Sequence, residues 1–259
     1  QDRSSAASDV YKRQVDDIKN GTSESRNDTT FSPRAGLIYK PQENVSLYLS
    51  YSESFLPRSG EQFKSLSASS ARLDPDVFES TEIGMKVALS DSMSLTAAYF
   101  DSEQVRAARD NDTGETSEIR GLTVDGFEIE LKGRVNNNLN LAIAYSDLSG
   151  ETSSGGIPRE IPEHTLSGFA TWEVNEKLSV ALGITQQGES KIKDNTPNLV
   201  LPEYTRIDLS AFYTVAPNLS VQMNVENLMD ELYFPHSHST HQASVGESVN
   251  SRVSLRWTY

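Results

Sequence analysis

The chain contains no cysteine among its 259 residues. That absence excludes a disulfide framework, thiolate metal sites and a cysteine nucleophile. Positive charge is also scarce, since 23 lysines and arginines stand against 37 aspartates and glutamates, for a formal net charge of −14. Phosphate backbones are bound by basic faces, so this balance argues against a nucleic-acid partner.

Long hydrophobic runs are missing too. Hydrophobic residues make up 36% of the chain, and no run approaches the roughly 18 apolar residues of a membrane-spanning helix. A transmembrane β-strand escapes this test, because it presents only every second residue to lipid. The sequence therefore argues against membrane-spanning helices and leaves membrane-spanning strands open.

The first segment of the chain differs from all that follows. Residues 4–14, SSAASDVYKRQ, show neither a hydrophobic period nor turn chemistry. One codon choice for them is identical to an adaptor used in transposase-based sequencing libraries; the alternative is a natural N-terminus without order. We interpret residues 1–14 as a non-native adaptor segment. Residues 15–259 are then expected to be the C-terminal part of a longer protein.

From Thr29 onward, hydrophobic residues recur with a period of two. The C-terminal RVSLRWTY alternates apolar and polar residues, and the same alternation recurs in NVSLYLSYS, NLNLAIAYS, KLSVALGIT and LSVQMNVEN. Sustained alternation indicates β-strands, and helical spacing fits none of these segments. We predict about eleven strands of about ten residues or more from Phe31, with residues 15–19 as the remainder of another.

Short and long connections are predicted to take turns along the chain. The short polar turns fall at residues 40–44, 90–92, 136–138, 174–177 and 216–218. Longer segments rich in Gly, Ser, Asp and Pro fall at residues 20–28, 56–75, 106–119, 149–162, 188–202 and 234–249. In an antiparallel meander this order collects the short turns at one rim and the long loops at the other, as in outer-membrane barrels. A soluble β-sandwich has no reason to keep that asymmetry.

Aromatic residues lie near the ends of the predicted strands. Girdles of aromatic residues at both membrane interfaces are typical of transmembrane barrels. The predicted girdle residues are Tyr39, Tyr51, Tyr99, Tyr145, Trp172, Tyr213, Trp257 and Tyr259.

Several segments resemble one family, the TonB-dependent siderophore receptors. Residues 29–60, TTFSPRAGLIYKPQENVSLYLSYSESFLPRSG, are similar to its mid-barrel stretch, and residues 224–234, NVENLMDELYF, to its penultimate-strand motif, with Met229 where Phe is usual. FESTEIGMK (residues 78–86) and GFEIELKGRV (residues 126–135) resemble its recurring strands. Tyr259 resembles the aromatic terminal residue, more commonly Phe, that such barrels present to the assembly machinery.

The resemblance implies an all-β fold, an antiparallel transmembrane β-barrel of the bacterial outer membrane. This chain would hold about the last eleven to twelve strands of a 22-stranded barrel, with short periplasmic turns and long extracellular loops. The plug domain and the N-terminal strands would lie upstream.

The implied function is energised uptake of a ferric siderophore, a catecholate in preference to a hydroxamate, by a protein that is not an enzyme. The implied partners are the siderophore, the TonB complex acting through the upstream region, outer-membrane lipid and the barrel assembly machinery, with no cofactor. Alternatives remain a TonB-dependent receptor for cobalamin or a glycan, a passive porin and a β-rich adhesin. The enzymatic alternative is an outer-membrane hydrolase barrel, but no GxSxG elbow supports a serine triad.

Candidate ligand-binding residues lie in or beside the long loops: Arg58, Tyr204, Arg206, Tyr233, Phe234, His236 and His238. Arginine and aromatic side chains suit an anionic, aromatic ferric catecholate. His236 and His238 would share one face of an extended chain, and His241 could fold back towards them. Neutral imidazoles at this spacing make these three candidates for a transition-metal site; the alternative is a polar exposed loop.

The adaptor interpretation predicts what lies across the junction between Gln14 and Val15. A long sequencing read through this point in the source DNA should show a reading frame that continues through about ten more alternating strands, a plug-like domain and a signal peptide. Genuine genomic sequence beginning at the junction would contradict both the adaptor and the receptor interpretations.

Overall fold

The computed structural model describes residues 3–17, 22–56, 75–109, 116–194, 196 and 198–258. Its side chains are described within residues 28–56, 75–105, 121–194, 196, 198–237 and 240–258. These residues form strands, turns and loops. Among them, no helix is long and apolar enough to cross a membrane, a finding that concerns helices only.

Sixteen strands follow one another in the described part of the chain. They are β1 Arg3–Asp17, β2 Thr22–Gln42, β3 Val45–Leu56, β4 Asp76–Ser90, β5 Met93–Arg109, β6 Thr116–Asn136, β7 Leu139–Thr152, β8 His164–Asn175, β9 Leu178–Gln187, β10 Ser190–Lys191, β11 Val200–Leu201, β12 Tyr204–Ala216, β13 Leu219–Glu226, β14 His236–Ser239, β15 Gln242–Ser244 and β16 Asn250–Trp257.

Twelve of these strands form one antiparallel sheet in the order β1-β2-β3-β4-β5-β6-β7-β8-β9-β12-β13-β16. The small pairs β10-β11 and β14-β15 lie in the long connections. From β2 onward the sheet has eleven strands, which confirms the predicted number and the all-β class. Strand β1 pairs with β2 from Arg3↔Gly36 to Asp17↔Thr22. Such pairing uses backbone groups alone, so it does not test the origin of residues 1–14, which stays a prediction.

All five predicted short turns are confirmed as two-residue connections, at residues 43–44, 91–92, 137–138, 176–177 and 217–218. Asparagine builds two of them in the same way. The Asn136 Oδ1 accepts hydrogen bonds from the backbone N–H groups of Asn138 and Leu139, at 2.9 and 3.0 Å. The Asn175 Oδ1 does the same for Lys177 and Leu178. A side chain that binds the backbone two residues ahead closes a tight turn.

Three features of the strand prediction are wrong. Residues 22–28, predicted as loop, belong to β2, and the predicted loop at residues 106–119 is shortened by β5 and β6, which pair up to Arg109↔Thr116. Strands β13 and β16 have eight residues each, fewer than predicted. The reason is common to all three: backbone hydrogen bonds do not depend on side-chain polarity, so hydrophobic alternation does not mark where pairing stops.

The register divides the sheet into two faces. One row joins Leu47, Met85, Ala97, Ile129 and Tyr145 across five neighbouring strands, and this side is called the apolar face. The adjacent row, on the polar face, joins Tyr48, Gly84, Ala98, Glu128 and Ser146. Both follow from the alternation of side chains across a strand.

The apolar face has no protein layer against it in the described part of the chain. Large side chains on it are widely exposed, including Ile83 at 60% and Leu255 at 72%. The buried hydrophobic residues among those described are only Ala181, Leu201, Tyr204 and Tyr233. A contiguous exposed apolar surface of this extent marks contact with another apolar phase, as expected for strands that face lipid.

The predicted aromatic residues fall into two groups. Tyr39, Trp172, Tyr213 and Trp257 are exposed and lie within a few residues of the short turns. They therefore mark one interface of the apolar band. Tyr51, Tyr99 and Tyr145 lie farther from that rim, and Tyr259 is outside the described residues.

The edges of this sheet generate a prediction for the isolated chain. Strands β1 and β16 are its two ends, and unpaired backbone groups in lipid cost several kcal/mol each. We expect this chain alone, refolded in detergent, to give no monodisperse closed barrel. Electrophoresis with and without heating, together with limited proteolysis, checks this. A heat-modifiable, protease-resistant monomer would contradict it.

Candidate functional site at the long-loop rim

One polar cluster joins the sheet to the longest described loop, residues 227–249. It consists of Tyr204, Arg206, Asp208, Asn227 and Tyr233 and is called the Arg206 cluster. The first three alternate along the start of β12, which places them on the polar face. Arg206 donates from Nη2 and Nε to Asp208 Oδ2, at 2.8 and 3.2 Å. It also donates from Nη1 to the Tyr233 hydroxyl at 3.2 Å.

Tyr233 packs the loop against the sheet. Its ring lies against that of Tyr204, with centroids 4.7 Å apart and planes inclined by 34°. Its carbonyl accepts a hydrogen bond from Gly246 N–H at 2.8 Å. A Cβ on Gly246 would lie 2.2 Å from the Tyr233 ring, so only glycine fits there. Both arms of the loop are thus held by one buried tyrosine.

Asn227 organises the first turn of the loop. Its φ of 51° lies in the left-handed region, which asparagine tolerates better than most residues. Its backbone N–H donates to Asp208 Oδ1 at 2.9 Å. Its side-chain amide donates to the carbonyls of Glu231 and Glu247 and accepts from Glu231 N–H, each at 2.9 Å. Asn227 is 1% exposed, so these bonds replace water for a fully buried side chain.

Three long connections meet at this rim. Ser237 N–H, in the longest loop, donates to Glu160 Oε1 at 3.1 Å. Glu160 N–H donates in turn to the carbonyl of Lys191 at 2.8 Å. Arg159 N–H donates to Asp194 Oδ1 at 2.7 Å. Residues 153–163, 188–203 and 227–249 are therefore joined by contacts that no single loop could make alone.

The structure brings together three of the predicted ligand residues, Tyr204, Arg206 and Tyr233. Tyr204 and Tyr233 are buried, while the Arg206 side chain is 32% exposed. Of the five N–H donors of a guanidinium, three serve the contacts just given. Phe234 follows in the same loop and is half-buried. Arg58 lies outside the described residues.

The histidines lie on the β14-β15 hairpin. His236 Nε2 and Ser244 Oγ share a hydrogen bond of 2.8 Å. A register irregularity between Ser237 and Ser239 interrupts the alternation on which a shared face for His236 and His238 was predicted. The side chain of His238 is outside those described, and His241 is exposed. The described side chains include no group of three His, Cys, Asp or Glu able to hold a metal ion.

A second polar cluster on the same face was missed by sequence reasoning. Tyr48, Glu82, Lys86, Glu128 and Glu130 line a recess of about 380 Å³. The Tyr48 hydroxyl donates to Glu82 Oε1, and Lys86 Nζ lies 5.6 Å from the Tyr48 ring centroid, within cation–π range. A Cβ on Gly84 would lie 2.5 Å from the Tyr48 ring. Four of these residues lie in the two segments that resemble the recurring strands of the family, residues 78–86 and 126–135. Their proximity follows from the strand register, which the sequence alone does not show.

The chain matches known proteins along most of its length. The family model described as TonB dependent receptor-like, beta-barrel matches residues 5–228. The probable TonB-dependent siderophore receptor PiuA of Acinetobacter baumannii is 27% identical over 251 residues, 87% of this chain and 33% of that protein. The catecholate siderophore receptor Fiu of Escherichia coli strain K12 is 29% identical over 220 residues, 77% of this chain and 29% of that protein. The chain thus spans about a third of the length of these relatives.

Solved structures show the same fold. The crystal structure of PiuA from Acinetobacter baumannii matches with a TM-score of 0.82 and 24% identity, over 96% of this chain and 39% of that one. The closed form of the ferric-catecholate import receptor Fiu from Escherichia coli K12 matches with a TM-score of 0.77 and 24% identity, over 90% and 35%. At these identities the likeness speaks for the fold alone.

Asn227→Ala tests whether the loop depends on this side chain. It removes three hydrogen bonds to the backbone of Glu231 and Glu247, which together contribute about 2–4 kcal/mol to the closed loop. In the complete receptor, endoproteinase Glu-C should then cut after Glu231 or Glu247 roughly thirtyfold faster or more, at about 1.4 kcal/mol per tenfold. Asn198→Ala, at an exposed asparagine of the neighbouring loop, should be cut at the wild-type rate. Equal rates for both variants would contradict the assignment.

Proposed function

The chain belongs to the TonB-dependent receptor-like β-barrel family of the outer membrane, and from that premise we propose that it serves energised uptake of a ferric siderophore. The observation that carries the proposal is the family match over residues 5–228. Relatives named as siderophore receptors support the cargo. The chain spans about a third of the length of these relatives, and TonB would act through an upstream region outside that matched third.

The proposed ligand contacts lie at the long-loop rim. Arg206 offers a partly exposed guanidinium on the polar face, held in place by Asp208 and Tyr233. An arginine fixed in this way loses little side-chain entropy when it binds an anion. Phe234 and His236 follow Tyr233 in the joined loops, and Arg58 belongs to the sequence just after β3. Arginine and aromatic groups together suit a ferric catecholate.

Binding without covalent chemistry fits this arrangement. Release of the cargo then needs work from outside the barrel, which the TonB complex would supply. The long loops are linked to one another by single hydrogen bonds, such as that from Ser237 N–H to Glu160 Oε1. A single bond of this kind can be exchanged at modest net cost, which suits loops that must admit and release a ligand above the turn that Asn227 holds in place.

Uptake by the complete reading frame tests the proposal. Produced in an Escherichia coli host that lacks its own catecholate receptors, it should import ⁵⁵Fe presented as a ferric catecholate. Deletion of tonB should reduce uptake to that of the receptorless host, because an energised receptor cannot release cargo without TonB. ⁵⁵Fe counting in washed cells gives the measurement.

The same cells distinguish the alternatives. Uptake of ferric hydroxamate alone would correct the siderophore class, and uptake of ⁵⁷Co-cobalamin would replace the cargo. TonB-independent entry of small solutes would indicate a passive porin. Absence of all import, with the protein present in the outer membrane, would favour an adhesin.

A further inference from the structure

Strands β13 and β16 are too short to cover the lipid band by themselves. Each has eight residues, which at about 3.4 Å per residue and a tilt of about 40° reach roughly 21 Å along the membrane normal. The apolar band of an outer-membrane barrel is about 25 Å tall. Trp257, paired with Leu219 beside a short turn, marks the interface at one end. The shortfall therefore lies at the long-loop end.

The neighbouring strand shows where the band should continue. On β12 the apolar face runs through Leu209, opposite Val225, to Ile207. At the level of Ile207, β13 has already ended and the chain reaches Asn227. Asn227 does not continue the strand, because its backbone is left-handed and its N–H donates to Asp208 on the polar face. The wall above β13 would be open if nothing replaced it.

Leu228 takes the vacant position. Its backbone N–H donates to the carbonyl of Ile207 at 2.7 Å, so it lies beside the upper end of the β12 apolar face. We define the loop base as residues 227–232 and 245–249, the two arms of the loop next to β13 and β16. Its exposed apolar side chains are Leu228, Met229, Leu232, Val245 and Val249, with Met229 and Leu232 exposed to 67% and 69%.

The loop base is a fixed surface. Val249 N–H donates to Asp230 Oδ1 at 2.9 Å, and Asn227 binds the carbonyls of both arms. The tyrosine that would otherwise add to the apolar set, Tyr233, is buried in the Arg206 cluster. Asp230, Glu231 and Glu247 lie among the apolar residues and are exposed, which suits the boundary between acyl chains and head groups better than the middle of the band.

We propose that the loop base is a lipid-contact surface that completes the membrane-facing wall above β13 and β16. Its occupant is the acyl chains of the outer leaflet, because the surface continues the apolar face of β12 at Ile207 without a break. The left-handed turn at Asn227 then has two effects. It directs the Asn227 N–H and the loop that carries Tyr233 towards the polar face, and it presents Leu228 and Met229 to lipid.

Fluorescence quenching locates this surface relative to lipid. The 259-residue chain has no cysteine, so Met229→Cys gives a specific site for a bimane label. In the complete receptor, any cysteine outside this chain is replaced first. In phosphatidylcholine vesicles with brominated acyl chains, this label should be quenched, and aqueous iodide should quench it weakly. Because the Met229 side chain is exposed, we expect its replacement by cysteine to leave folding of the receptor unchanged.

Two matched variants set the scale. Leu255→Cys, on the apolar face at 72% exposure, should be quenched by brominated lipid. Gln242→Cys, exposed on the β14-β15 hairpin, should respond to iodide and not to lipid. A Met229→Cys label that behaves like the Gln242→Cys label would overturn the proposal. So would a label shielded from both quenchers, since a second copy or another protein would then cover the surface. Neither result depends on which cargo is transported.

Discussion

Every backbone N–H and C=O within the lipid band must be paired by a neighbouring strand, since hydrocarbon offers no replacement for water. This requirement explains the continuous antiparallel order from β1 to β16 in the twelve-stranded sheet. Pairing also runs on beyond the apolar segments, as in β5 and β6 up to Arg109↔Thr116, because backbone hydrogen bonds do not depend on side-chain polarity. Once the pairing is set, side-chain alternation assigns each residue to lipid or to the polar face.

At Asn227 the left-handed backbone ends this alternation of side chains. A left-handed residue with a buried amide allows the chain to leave β13 while its hydrogen bonds are satisfied by Asp208, Glu231 and Glu247. The same turn orients the loop that carries Tyr233 to Arg206. Strand termination, loop closure and placement of the proposed ligand-binding arginine thus depend on one residue and its carboxylate partner.

The candidate site could be predicted only in part from the sequence. Residue type and position near strand ends predict Tyr204, Arg206 and Tyr233 as ligand residues, and the structure brings these three together. Asp208 and Glu160 were not found, since an acidic residue in a strand or a loop carries no local signal of its partner. Ser237 and Glu160 are 77 positions apart in the sequence. Tyr48 and Glu82, which lie on the neighbouring strands β3 and β4, are 34 positions apart. Such contacts follow from register and loop packing.

By itself the sequence determined the strand number, the two faces and the five short turns, because each depends on alternation or on side chains that bind the backbone within three residues. The tertiary structure alone decided where β2, β5 and β6 extend, how early β13 and β16 stop and which loops touch. Those features depend on hydrogen bonds between segments distant in sequence. The free energy of these bonds is set by the partner strand and not by the type of the residue that forms them. A local pattern therefore locates the strands, and only their assembly defines the rim.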